Sequence, residues 1–308
     1  MSNTTYAAID IGSNAGRLLI KRVNSDSSAT DLFTKELLLR VPLRLGQDSF
    51  TIGKLSPTKR KKLLRTIKAF RQMMLVFDVD CYRACATSAM RDAQNSREVV
   101  EEIYEKTGIR LEVITGQEEA RIVYDNHIEN LLDRSRNYSY VDVGGGSTEI
   151  ILISHGEVIS SKSYNVGTVR MLNRAVRAAD LEKMHQELKE TAGKYPEQII
   201  IGSGGNINKL FRLVDERDTK SGTFPVSALE RLTAQMRQYT PDELRKIYCL
   251  KPDRAEVIVP AAEIFLDVAN CTGSTTIWTP TIGLADGIID SLYARDHAKS
   301  KEQSPSND

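Results

Sequence analysis

The sequence lacks a charge excess of either sign. Lysine and arginine number 42 against 41 aspartates and glutamates, so no global field draws the 308-residue chain to nucleic acid or to an anionic membrane. Any anion must be held locally. Long apolar runs are missing too: none approaches the ~18 residues of a membrane span, and no basic-then-apolar leader opens the chain. The few cysteines, Cys81, Cys85, Cys249 and Cys271, show no C-x-x-C pairing, and the histidines are scattered without a metal-ligand spacing. These absences argue against a disulfide framework and a sequence-local zinc module. The expectation is a cytoplasmic protein with free thiols, bound to neither membrane nor nucleic acid.

What is present is glycine wherever an apolar run ends. Tyr140-Val141-Asp142-Val143 leads into Gly144-Gly145-Gly146-Ser147-Thr148-Glu149 and then into the apolar Ile150-Ile151-Leu152-Ile153. Consecutive glycines let backbone N–H groups converge on one anion, a nest suited to phosphate oxygens. Ser147 and Thr148 add hydroxyls, while Asp142 and Glu149 can hold a cation beside the anion. Alone, such a run is equally a hairpin turn. The same grammar recurs, however, near the amino terminus: Tyr6-Ala7-Ala8-Ile9, then Asp10-Ile11-Gly12-Ser13-Asn14, then Leu18-Leu19-Ile20. One such hairpin per half agrees with the two domains that ~100–200 residues per domain imply. A third loop, Gly202-Ser203-Gly204-Gly205-Asn206, follows Ile199-Ile200-Ile201 and precedes a helix, adding backbone donors and a positive dipole end. It lacks the third glycine of G-x-G-x-x-G and the lysine of G-x-x-x-x-G-K-[ST], so neither a dinucleotide fold nor a P-loop is supported.

Between these loops the pattern predicts a strand over 30–45, a helix over 57–77 started by Ser56-Pro57, and a strand over 79–86. Thr87 to Asp92 then reads as a polar loop at a strand's carboxyl end, where open α/β sheets place ligand contacts. Arg91 there can grip a phosphate, or pair with Asp92. Glu118 and Glu119 open a helix after strand 109–114. Their ~100° separation lets only one point inward. Further helices are expected over 168–178, 180–192, 207–214, 227–239, 254–270 with a kink at Pro260, and 285–296, with a last strand at 276–278.

Taken in order, residues 9–20, 87–92, 115–121, 141–150, 202–205 and 254–287 resemble the exopolyphosphatase/guanosine pentaphosphate phosphohydrolase (Ppx/GppA) family, over nearly the whole chain to about Tyr293. The resemblance implies an α/β, duplicated ribonuclease H-like architecture of the actin, sugar kinase and Hsp70 superfamily, in a short two-domain form with its site in the interdomain cleft. The expected domains are 1–123 and 124–285, a helix over about 286–303 returns to the first, and 298–308 is a disordered tail. By the same matching Glu119 is the catalytic base and Arg91 contacts phosphate. Ser13, Asn14, Gly144, Gly145, Gly146, Ser147, Gly204 and Gly205 cradle phosphates. Asp10, Asp142 and Glu149 hold Mg²⁺, or Mn²⁺ in its place.

The implied reaction is hydrolysis of a terminal phosphoanhydride of polyphosphate or guanosine pentaphosphate. A small-metabolite kinase on the same fold, and a non-catalytic sensor of guanosine tetra- or pentaphosphate, are the alternatives. Ala15, Asn206 and Ala285 depart from the residues common in the family, which bears on substrate choice. A homodimer is left open.

Overall fold

A computed structural model of the chain describes residues 4–24, 31–124, 132–280 and 283–302. The first half runs β1 (Thr5–Ile11), β2 (Ala15–Val23), β3 (Phe33–Pro42), α1 (Leu45–Ile52), α2 (Pro57–Val76) and β4 (Cys81–Ala86). It continues through α3 (Ser88–Asp92), α4 (Ser96–Thr107), β5 (Leu111–Val113) and α5 (Gly116–Tyr124). The second half opens with β6 (Asn137–Val143), β7 (Thr148–Ser154), β8 (Glu157–Tyr164), α6 (Thr168–Leu172), α7 (Ala178–Lys194) and β9 (Ile199–Ser203). After these come α8 (Gly205–Leu213), β10 (Thr223–Pro225), α9 (Val226–Met236), α10 (Pro241–Ile247), α11 (Pro252–Ala255), α12 (Ile258–Thr272), β11 (Thr276–Trp278) and α13 (Leu284–Glu302).

Two sheets carry one topology twice. The first has the order β3-β2-β1-β4-β5, and the second β8-β7-β6-β9-β11 with β10 added at its edge. In each, an antiparallel three-strand meander joins a parallel part through its first strand. The fold is α/β and duplicated, with the two sheets related as repeats. Every residue of β1 is buried, which explains why its sequence is apolar without alternation: helices cover both faces of the sheet. One cluster, with Ile67, Phe70 and Met74 of α2 and Val99 and Ile103 of α4, fills the outer side of the first sheet. An equivalent cluster with α7, α9 and α12 fills that of the second. Between the sheets lies a third, in which Ile122 and Val123 of α5 and Ile288, Ile289 and Leu292 of α13 pack against Tyr6, Ala8 and Leu19 on one side and Tyr140, Ile151 and Ile201 on the other.

Several local expectations are corrected. The strand expected over 30–45 stops at Pro42, and a helix follows. The cause is tertiary: the carbonyl of Asn14 accepts from the N–H groups of Leu43 and Arg44, and Arg44 turns the chain at φ 56°. Residues Ser88–Asp92 form a short helix rather than a loop. Pro260 sits in the first turn of α12, where its missing N–H costs nothing, and the break comes earlier, at Glu256 and Val257. The edge strand β8 and the short β10 have no clear sequence signature, because EVISSKSY and TFP carry little apolar signal. Part of the expected disordered tail is helix, since α13 runs to Glu302; residues 303–308 lie outside the described residues. The expected boundary at 123/124 falls at the end of α5. Among the described residues no helix is long and apolar enough to cross a membrane, and all four cysteines are free.

Candidate active site

The two glycine hairpins are superposable in their bonding. Gly12 N–H donates to the Ala15 carbonyl at 3.0 Å, and Gly144 N–H to the Ser147 carbonyl at 2.9 Å. The register then sets Asp10 opposite Arg17 in the first hairpin and Asp142 opposite Glu149 in the second. One repeat thus carries an attractive cross-strand pair and the other two like charges. Arg17 Nη1 donates to Asp10 at 2.5 Å, whereas Asp142 and Glu149 are left repelling one another.

Both hairpins and the Gly204 loop open on a single cavity of about 400 Å³ between the halves. Its wall includes Asp10, Ser13, Asn14, Glu119, Asp142, Gly144, Gly145, Ser147, Glu149, Gly204 and Gly205, so the structure brings together eleven of the thirteen residues expected at the site. Arg91 stands behind the wall, with Nη1 at 2.9 Å from both Glu119 and the Ile114 carbonyl and Nη2 at 3.5 Å from the Ser147 hydroxyl. It does not pair with Asp92, which is held instead by Arg170 at 2.6 Å. Gly146 faces away from the cavity: a Cβ there would lie 2.2 Å from the Phe50 ring and 2.5 Å from the Ser88 hydroxyl. Close packing of the loop requires this glycine. Gly167 is required for the same reason, since a Cβ on it would come within 2.5–2.6 Å of the Gly146 and Ser147 backbone.

The ambiguity between the two glutamates is resolved by α5. Glu118 turns outward onto Arg83 at 2.6 Å, while Glu119 is only 8% exposed and faces the cavity. Burial, reinforced by the neighbouring Glu149 carboxylate, holds Glu119 well above the ordinary carboxylate range, with Arg91 pulling the other way. Burial and Glu149 likewise push Asp142 up to about 7 against the opposing Arg17. Glu149 is raised by burial, against the hydroxyls of Ser147 and Ser163; Ser163 donates to it at 2.8 Å. Three buried carboxylates are each disfavoured as an anion, so a cation among them would be stabilised.

Hard oxygen donors of this kind suit Mg²⁺, which binds through one or two carboxylates together with substrate phosphates rather than in an all-protein cage. Asp142 and Glu149 fit that role. Asp10 already has the Arg17 guanidinium, and no three cleft carboxylates bring oxygens within 4.8 Å of one another among the described residues.

The opposite wall is cationic, and this the motifs did not reveal. Arg17, Lys35, Arg40, Lys209, Arg212 and Arg254 all line the cavity. Burial lowers the pKa of Arg254, and Arg40, Arg17 and Arg212 lower it further against the opposing Asp253, so these cations lie close enough to feel one another. Arg17 was findable: hairpin symmetry makes it the counterpart of Glu149. Arg254 opens the family-like segment 254–287, though nothing local marks its charge as part of the cavity wall, and nothing local marks Lys209 or Arg212. An acidic wall thus faces a basic wall across one cavity, a charge arrangement that could take a cation and an anion side by side.

Comparison with known proteins identifies the family. A model of the Ppx/GppA phosphatase family matches residues 32–296. An exopolyphosphatase 2 of Mycobacterium tuberculosis is 32% identical over 183 residues, which are 58% of this chain and 57% of that protein. The match therefore spans little more than half the length of that curated relative. A bifunctional 3-dehydroquinate synthase/phosphatase of Fusobacterium nucleatum is 31% identical over 56% of this chain and 26% of its own length. Among solved structures, an exopolyphosphatase from Cytophaga hutchinsonii shares the fold with a TM-score of 0.80 at 22% identity, covering 96% of this chain and 98% of its own. The Ppx/GppA family member of Aquifex aeolicus does so with a TM-score of 0.74 at 24% identity, over 95% and 98%. The duplicated sheets, the paired glycine hairpins and the family match from residue 32 to residue 296 lead to one conclusion: this chain belongs to the Ppx/GppA phosphatase family.

Proposed function

We propose that this chain hydrolyses the terminal phosphoanhydride of inorganic polyphosphate or guanosine pentaphosphate, with Mg²⁺, releasing orthophosphate. The observation that carries the reading is Glu119: a buried carboxylate of raised pKa, held by Arg91 and facing a cavity whose other walls are glycine nests and arginines. A carboxylate whose proton affinity is raised above the ordinary range is a stronger base for water activation.

Backbone N–H groups of the Gly144 and Gly204 loops, with Ser13 and Asn14, receive the terminal phosphate oxygens. The basic wall takes the following phosphates. Glu119 orients a water and accepts its proton as the water oxygen bonds to the terminal phosphorus. The bridging P–O bond breaks, the leaving oxygen keeps the electron pair, and Glu119 returns the proton to solvent. Arg91, behind the wall, holds Glu119 and the Ser147 hydroxyl in place beside the reacting phosphate. Asp142 and Glu149 would hold Mg²⁺, which when bound neutralises phosphate charge.

The test is phosphate release, with Mg²⁺, from long polyphosphate, short polyphosphate, guanosine pentaphosphate and ATP side by side. Release from polyphosphate or pentaphosphate is expected. Transfer from ATP to an acceptor without net hydrolysis, or tight guanosine pentaphosphate binding without turnover, would replace this reading with a kinase or a sensor. E119Q should keep the fold and slow turnover by roughly 10²–10⁴-fold. If E118Q does so instead, the base is misassigned.

A further inference from the structure

The histidines and cysteines have no metal-ligand spacing in the sequence, yet the fold assembles three candidate ligands outside the cleft. His185 lies on α7; Asp267 and Cys271 lie one turn apart on α12, which packs against α7. His185 Nε2 is 2.5 Å from Asp267 Oδ2, and the imidazole nitrogen, carboxylate oxygen and Cys271 sulfur all fall within 4.8 Å of one another. None of the three lines the phosphate cavity.

We propose that His185, Asp267 and Cys271 form a site for a thiophilic divalent transition ion of the Zn²⁺ class, bracing α7 to α12. The donor set separates it from the cleft. Nitrogen, sulfur and one carboxylate select Zn²⁺ or Co²⁺, whereas Mg²⁺ prefers oxygen alone. Zn–N and Zn–O bonds of about 2.0–2.2 Å and a Zn–S bond of about 2.3 Å place tetrahedral donors roughly 3.3–3.8 Å apart. The three donors, already within 4.8 Å of one another on two packed helices, start close to that spacing. His185 and Asp267 keep 30% and 35% of their side chains exposed, which leaves an entry path and a fourth position for water. Cys271 is the buried member, 8% exposed. Binding takes Cys271 as the thiolate and releases its proton to solvent, so uptake strengthens as pH rises.

The site is independent of the hydrolase reading, and its test does not use phosphate release. Because Cys249 is exposed and could bind metal weakly, the experiment uses the 308-residue C249S chain titrated with Co²⁺ in the presence of excess Mg²⁺. A one-to-one spectrum with thiolate-to-cobalt charge transfer and tetrahedral d–d bands, displaced by Zn²⁺, is expected. H185Q and C271S should each weaken binding by more than the 10–100-fold that loss of an outer-shell partner costs, with circular dichroism confirming that they fold. H185Q changes a partly exposed side chain, so it remains informative if C271S disturbs the core. Absence of the charge-transfer band, or a spectrum unchanged in H185Q, would reduce the cluster to an ordinary His–Asp ion pair beside a thiol.

Discussion

Asp142 offers the sharpest test of the electrostatics, because its charge is predicted to work against the fold. Its pKa rises from 3.8 to about 7 on folding. The folded chain therefore holds this proton more tightly than the unfolded chain. The stability this provides is fully present below about pH 4 and is lost as pH climbs to about 7. The difference of about 3 units, at 1.36 kcal/mol each, corresponds to about 4 kcal/mol of destabilisation at pH 8. D142N removes the charge and keeps the shape. In urea unfolding with a chelator at pH 8, D142N should be more stable than the parent protein by about 2–4 kcal/mol, the lower figure allowing for Arg17 losing a partner charge. At pH 5 the parent carboxyl is mostly protonated in the fold, and the advantage should shrink to about 1–2 kcal/mol. Mg²⁺ at pH 8 should stabilise the parent and leave D142N nearly unchanged, because the ion binds only the native site. Phosphate release should be lost. A pH-independent difference, or a D142N protein less stable at pH 8, would refute the assignment of Asp142 as a buried, cation-requiring carboxylate.

Arg91 lowers the pKa of Glu119 as well as contacting Ser147, so R91M should reduce kcat and move the acid limb of the kcat–pH profile to higher pH, with R91K restoring part of both. An unshifted limb would show that Arg91 does not set the charge of the base. G167A drives a Cβ into the Gly146 and Ser147 backbone; it should cost about 1–3 kcal/mol in urea unfolding and depress phosphate release together. G193A meets nothing within 4 Å in α7 and should instead be neutral or stabilising by up to about 0.5–1 kcal/mol. Equal effects of the two substitutions would remove the packing argument for the loop.

Much of this protein is legible along the chain, for a physical reason. A buried strand running into glycine is a local event, governed by burial and φ/ψ freedom, so Asp10–Asn14, Asp142–Glu149 and Gly202–Asn206 stand out without coordinates. Repetition of the Asp-x-Gly hairpin indicated two halves, and the duplicated sheet order follows the same repeat. What depends on contacts between distant segments was not legible. The turn at Arg44 exists because Asn14 offers its carbonyl. The family resemblance singles out Glu119, but the physical reason lies in distant contacts: Arg83 holds Glu118 outward and Arg91 holds Glu119 inward. The basic wall draws Arg17 and Arg40 from the first sheet, Lys209 and Arg212 from α8 and Arg254 from α11. His185 meets Asp267 and Cys271 only because α7 lies on α12. Short-range sterics determined where phosphate could be cradled; the packing of one half against the other decided which charges surround it, since electrostatic partners are set by distance in space and not along the chain.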